Sequence, residues 1–244
     1  MKYKSELLNK LDFIDKSWDA FVSNETESEL IAIEEKINLE KNQHTPNTHN
    51  VLRFLSKSLK DIKIVILGQD PYPQQGVATG RAFEVGTLRS WQDKFSNVSL
   101  KNIIRAIYSA YNNEYLKYSD IKKELGSTFN LKSPDDLFVE WENQGVLLLN
   151  TSFTCKIGES NSHEKYWRNF TNKLLHYIAD SNSEIIWFLW GANAQAIVKG
   201  IDIKHKIESM HPMMCFNKEG RENDFLFGKQ NCFNQTKSII NWLG

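Results

Sequence analysis

The run Ile64-Val65-Ile66-Leu67 stops at Gly68-Gln69-Asp70-Pro71-Tyr72-Pro73, and this boundary limits the possible folds more than any other stretch of the chain. A short β-branched run of this kind suits a strand buried on both faces, as in a parallel sheet. Pro71 and Pro73 fix their own φ, and Asp70 and Tyr72, each preceding a proline, are biased toward extended angles. Such a loop holds its side chains still. Ligand sites in open α/β sheets lie just beyond the carboxyl ends of strands, which makes Asp70 a candidate catalytic carboxylate. An Asp-Pro turn taken alone has a plainer explanation, a carboxylate that satisfies nearby backbone N–H groups.

Three further strand signals follow. Gly145 precedes the buried run Val146 to Leu149, which ends at Asn150; Glu184 to Trp190 is a third run, and the segment around Ile207 to Met210 a fourth. Helical patterns lie between them. Residues 99–113 read as a helix with Ser99 as N-cap, and residues 164–180 as another that buries Trp167, Phe170, Leu174, Leu175 and Ile178. Earlier in the chain, Leu7, Leu8, Leu11, Ile14, Trp18 and Phe21 recur at helical spacing, as do Leu30, Ile31, Ile33 and Ile37, and Val51 to Leu59 reads as a helix leading into the first strand. Strands alternating with helices predict an α/β fold, a three-layer α/β/α arrangement around a central four-stranded, mainly parallel sheet. One domain is expected over residues 1–244, with residues 1–60 its mostly helical N-terminal part. Asp70, Asn150 and His211 then all fall just past strand ends on one edge of the sheet.

Composition narrows the function. Thirty basic and thirty acidic residues leave no net charge, which argues against coating nucleic acid by bulk electrostatics but leaves room for a local basic face. Lys101, Lys165, Arg168, Lys204, Lys206, Lys218 and Arg221 are candidates for it, although each alone reads as a solvated surface cation. Cys155, Cys215 and Cys232 are widely spaced and odd in number, so neither a disulfide framework nor a four-ligand zinc or iron–sulfur site is expected. No apolar stretch approaches the ~20 residues that span a bilayer, and the charged N-terminus lacks a signal-peptide core. The expectation is a cytoplasmic monomer with no membrane partner, no metal and no cofactor. No G-x-G-x-x-G follows the first strand and no G-x-x-x-x-G-K-[ST] occurs, so a generic nucleotide-binding protein has no phosphate cradle to support it.

The sequence GQDPYP at 68–73, followed by GRAF at 80–83, resembles the water-activating loop of family 1 uracil-DNA glycosylases. Further blocks match in the same order: QGVLLLNT at 144–151, NSHEKYWRNFT at 161–171, WFLWGANAQ at 187–195, and His211-Pro212. The resemblance implies a base-excision enzyme that removes uracil from DNA without a metal. It assigns Asp70 to stabilising an oxocarbenium-like sugar and orienting or deprotonating the attacking water, and His211 to donating a hydrogen bond to uracil O2. Backbone N–H groups around Gln69 would add to that contact. Asn150 would pair with the N3–H and O4 edge of uracil, Phe83 would stack on the extruded base, and Tyr72 would exclude the methyl of thymine. Each residue also has a structural reading: a loop histidine, a strand-end cap, a core phenylalanine, and a tyrosine packed under a proline turn.

The DNA-gripping positions depart from the family. His-Pro is usually followed there by Ser-Pro-Leu-Ser, whereas this chain has Met213-Met214-Cys215-Phe216, and Pro73-Gln74-Gln75 stands where His-Gly-Pro is usual. Met214 and Phe216 are the candidate wedge side chains, with anchoring of the loop in the core as the alternative. Ser99, by its hydroxyl, and Gly191, by its backbone N–H, remain candidate phosphate contacts. DNA, single- or double-stranded, is the expected partner, together with a proteinaceous uracil-mimic inhibitor. A glycosylase for another damaged or modified base, or a non-catalytic DNA- or protein-binding factor on the same fold, are the competing readings.

Overall fold

The computed structural model describes residues 5–40 and 43–244. Strands β2 (Ile64–Gly68), β3 (Val146–Asn150), β5 (Ile186–Trp190) and β6 (His205–Ser209) form a four-stranded sheet in the order β3-β2-β5-β6, with every pairing parallel. Two short strands, β1 (His44–Thr45) and β4 (Cys155–Lys156), pair antiparallel beside it. Periodicity could not announce a pair of two-residue strands.

Alternate residues of each central strand feed opposite layers, because side chains on a strand point to alternate faces. Ile64, Ile66, Leu148, Phe188 and Trp190 pack in one apolar cluster, together with residues of α2 (Val98–Asn112), α4 (Pro134–Asn143) and α7 (Cys232–Thr236). Val65, Leu67, Leu147, Leu149, Trp187 and Leu189 pack in the other, with α1 (Asn24–Asn38) and α5 (Glu164–Ser181). The short helices α3 (Tyr118–Glu124) and α6 (Ala192–Ile197) complete the set. The expected three-layer α/β/α arrangement is therefore present, and burial of each large side chain contributes on the order of 1.5–3 kcal/mol. Strand β6 lies at an edge and alternates exposed charged residues, Lys206 and Glu208, with less exposed ones, which discourages pairing with another chain.

Three local expectations are corrected. The apolar series from Leu7 to Phe21 is not one helix but two 3-10 turns, Leu8–Phe13 and Lys16–Trp18, separated where Asp15 accepts the Ser17 N–H. Val51 to Leu59 is likewise broken, because Leu52 adopts a left-handed conformation (φ 57°), leaving 3-10 turns at Arg53–Ser56 and Leu59–Asp61. Single 3-10 turns give much the same apolar spacing as an α-helix over short stretches. Ser99 is not an N-cap: α2 starts at Val98, with Asn97 in the capping position.

Candidate active site

Three strand ends place the site. Gly68 ends β2 and pairs with Asn150, the last residue of β3, while His211 lies two residues past the end of β6. The pairing of Gly68 with Asn150 works only because Gly68 has no side chain. A Cβ there would run into Asn150 Oδ1 and come within 2.9 Å of the Ala82 Cβ. Beyond Gly68, the Gln69 carbonyl accepts the Ser152 N–H and the Thr151 hydroxyl, both at 2.9 Å, which ties the loop to the end of β3.

A cavity of about 190 Å³ opens at this edge, and its walls include Gln69, Asp70, Tyr72, Phe83, Ser99, Asn150 and His211. Seven of the ten candidates from the sequence thus meet at one place. Drug-sized pockets run to roughly 300–1,000 Å³, so this one suits a single small ring.

Asp70 Oδ2 accepts two hydrogen bonds, from Ser160 Oγ at 2.6 Å and from the Asn161 N–H at 2.5 Å. Among the described residues no donor reaches Oδ1. The plainer reading of Asp70 is therefore half right, since backbone and hydroxyl donors do hold one oxygen, and the other remains for a ligand.

The His211 ring is held neutral. Its burial lowers its pKa, and its Nδ1 accepts the Met213 N–H at 3.2 Å. An imidazole that accepts at Nδ1 and is neutral carries its proton on Nε2, so the free nitrogen is a donor. Gly191 makes this position possible, since a Cβ there would lie 2.9 Å from the His211 Cβ, and its φ of +87° favours glycine.

Phe83 has φ 66°, an uncommon conformation for a bulky residue, and its ring centroid lies 5.3 Å from that of Trp190 and 6.2 Å from that of His211. Its loop is braced by an ion-pair cluster that sequence reasoning did not find. Arg81 bridges Glu84 (3.0 Å) and Glu142 (2.6 Å), all three side chains being almost fully buried, and Arg53 lies 3.8 Å from the same Glu142. Burial would lower the Arg81 pKa, but the two carboxylates outweigh it and the net shift is upward. Tyr72 lies beneath the loop with its phenol pushed up to about 12 by burial, so it stays protonated. Two further residues were missed: Ser160, which grips Asp70, and Asn193, whose Nδ2 donates to Gln69 Oε1 at 2.8 Å. Ser160 sat one residue ahead of a recognised block, and Asn193 sat within one.

The remaining three candidates lie outside the cavity. The Gly191 N–H is donated to the Ser209 carbonyl at 2.8 Å, so the expected phosphate contact through that amide is corrected. Gly191 instead lines an adjoining cavity of about 250 Å³ with His211 and Met213. Met214 and Phe216 are 49% and 53% exposed, which removes the alternative that they anchor their loop in the core. The Phe216 ring faces the Arg221 guanidinium at 5.1 Å, and its N–H is bound by the buried carboxylate of Asp224 at 2.9 Å. Of the candidate cations, Arg168, Lys204, Lys206 and Arg221 pair with Glu164, Glu184, Glu208 and Asp224.

A family profile described as the uracil DNA glycosylase superfamily matches residues 57–233. The chain belongs to that superfamily. Relatives called uracil-DNA glycosylase include one from Fusobacterium nucleatum, 32% identical over 95% of this chain and 93% of the relative, and one from Clostridioides difficile, 31% identical over 95% and 94%. The fold is shared with the wild-type UNG crystal structure from Nitratifractor salsuginis (TM-score 0.68, 23% identity, 88% of this chain and 91% of that one). It is shared also with a mimivirus UNG variant solved in complex with UGI (TM-score 0.64, 23% identity, 94% and 84%). Within this superfamily member, the matched span contains every candidate site residue.

Proposed function

We infer that this chain hydrolyses the N-glycosidic bond of deoxyuridine in DNA, releasing uracil and leaving an abasic site. One observation carries the reading: a carboxylate with a free oxygen, a planar amide and a neutral imidazole line a single small cavity. Membership of the superfamily and relatives of that name support it.

Breaking the bond builds positive charge on the sugar and negative charge on the departing base, and groups fixed in advance stabilise both best. Asp70 is assigned to the sugar side, where Oδ1 orients water for attack on C1′ and accepts its proton while the C1′–N1 electron pair leaves with the base. His211, through Nε2–H, and the backbone around Gln69 are assigned to uracil O2. Asn150 offers one acceptor and two donor hydrogens to the N3–H and O4 edge, and a cytosine there would leave groups unpaired. Phe83 supplies the stacking face, and Tyr72 the wall beside C5. Ser99 is assigned to a flanking phosphate, and Met214 and Phe216 to the wedge that fills the vacated stack once the nucleotide is flipped, a step that costs a few kcal/mol. A proteinaceous partner such as the UGI bound by the mimivirus protein would occupy the same mouth. The acting unit is proposed to be a cytoplasmic monomer; no helix among the described residues is long and apolar enough to cross a membrane.

The test is incubation with uracil-containing single- and double-stranded oligonucleotides in EDTA, beside oligonucleotides carrying modified cytosines or deaminated purines. Alkali-labile sites are expected from the uracil substrates. Asp70→Asn and His211→Leu are each expected to slow the rate roughly a hundredfold or more. Unchanged rates in both variants would remove the site assignment.

A further inference from the structure

We propose that Ser160 is a positioning residue for the glycosidic hydrolysis, fixing Asp70 so that a single carboxylate oxygen faces the sugar and the water. The proposal rests on the functional reading above and names a part of that site that lies outside the sequence motifs.

Ser160 lines the cavity, and its hydroxyl donates to Asp70 Oδ2 at 2.6 Å, within the range of strong O–H···O⁻ bonds. The Asn161 N–H donates to the same oxygen at 2.5 Å. Two donors converging on Oδ2 stop the carboxylate from rotating about its terminal torsion, which is otherwise broad and roughly two-fold. Oδ1 is thereby the oxygen left for chemistry. The backbone supports the arrangement, because Asn161 has φ 62°, a left-handed conformation that asparagine tolerates better than most residues.

The segment carrying Ser160 is itself fastened to the Asp-Pro loop. Cys155 Sγ–H donates to the Pro71 carbonyl at 3.3 Å, and the Gly158 N–H donates to the Pro73 carbonyl at 2.8 Å. Past Ser160, the Lys156 N–H donates to Ser162 Oγ at 2.8 Å, and the buried His163 ring bridges Thr154 Oγ1 (2.8 Å) and Glu40 Oε2 (3.0 Å). Ser160 thus sits on a loop held at both ends, so its hydroxyl is aimed before substrate arrives. Orientation of this kind acts on the reacting geometry more than on affinity, and small misplacements of a catalytic group can cost large factors in rate.

A purely structural serine would behave differently, and a double-mutant cycle separates the two. Single-turnover rates and KM are measured on a uracil-containing single-stranded oligonucleotide for wild type, Ser160→Ala, Ser160→Thr, Asp70→Asn and the Asp70→Asn/Ser160→Ala pair, with melting temperatures for each. Ser160→Ala is expected to lower the rate roughly tenfold with KM within about twofold, the scale of one lost hydrogen bond to a charged group. Ser160→Thr should keep most of the rate, and Ser160→Ala should cost nothing further once Asp70 is asparagine. An unchanged rate in Ser160→Ala, an equal loss in both backgrounds, or a loss that follows KM alone would overturn the proposal while leaving the glycosylase reading intact. A wild type inactive on uracil would remove that reading, and this inference with it.

Discussion

The two loops that carry the groups proposed to react, Asp70 and His211, are built in opposite ways. The Asp70 loop is tied down along its length: its carbonyls at Gln69, Pro71 and Pro73 and its carboxylate all accept hydrogen bonds from the β3–α5 region. The loop after His211 holds its imidazole through one bond from the Met213 N–H, then runs out into solvent with Met213 and Met214 57% and 49% exposed. Its far side is organised by a single buried carboxylate, Asp224, which accepts the Phe216, Leu226 and Phe227 N–H groups and the Arg221 guanidinium. Groups that act on the bond being broken need sub-ångström placement, whereas a surface that meets DNA needs contact area and tolerates substitution. On the proposed reading, this accounts for a cavity lined by the residues the resemblance assigns to the base beside an exposed tip that departs from it.

If the contrast is real, a one-atom intrusion into the tightly tied region should do more damage than removal of a whole side chain from the open one. Gly68→Ala places a methyl against Asn150 Oδ1 and Ala82. The expected result is a fall in kcat/KM on the order of tenfold to a hundredfold on single-stranded uracil substrate, with discrimination between uracil and cytosine weakened. Wild-type kinetics in that variant would mean that Asn150 can move without consequence and would dissolve the comparison.

Much of this contrast was legible in the sequence, and the part that was not has a physical cause. The strands could be read because a run buried on both faces leaves an unbroken apolar signal, and their ends pointed to Asp70, Asn150 and His211, whereas Gln69, Tyr72, Phe83 and Ser99 came only from the resemblance to family 1 uracil-DNA glycosylases. The Arg81–Glu84–Glu142 cluster was hidden because Glu142 reaches Arg81 from a helix 61 residues away, and no local pattern marks a buried partner. The Ser160 contact with Asp70 spans 90 residues for the same reason. The N-terminal turns misled because 3-10 segments repeat apolar residues much as a short α-helix does. Gly191 was assigned to phosphate by analogy, while the fold spends its N–H on Ser209 and uses its missing side chain to seat His211.

The open loop should show its role only when there is a stack to fill. Phe216→Ala and Met214→Ala remove exposed apolar surface with little effect on the core, so the single-stranded rate should stay within about twofold of wild type. On duplex substrate a fewfold loss is expected, since the cost of flipping is largest there. The ratio of duplex to single-strand rates is the measurement. An equal effect on both substrates would move the wedge to another residue and leave the tip as plain surface.

The smallest expected effect is a linkage effect, and it bears on the imidazole that joins the two regions. Burial lowers the pKa of His211 from the ordinary value of 6.5, so below that value the unfolded chain binds more protons at this position than the folded one. Stability then rises with pH across this window and is lost as pH falls through the folded pKa. Protonation also destroys the acceptor at Nδ1, so the Met213 N–H loses its partner and the imidazole loses its tether. His44 and His163, whose pKa values burial also lowers, contribute in the same direction, and the comparison with His211→Leu isolates the one in the site. Urea denaturation between pH 7.5 and about 5.5 should therefore show wild type losing more stability on acidification than His211→Leu, by a fraction of the ~1.4 kcal/mol that one pH unit of linkage can supply. Equal acid sensitivity in the two proteins would mean that the ring is free to take up a proton where it sits, and a neutral Nε2–H donor could then no longer be assigned to it.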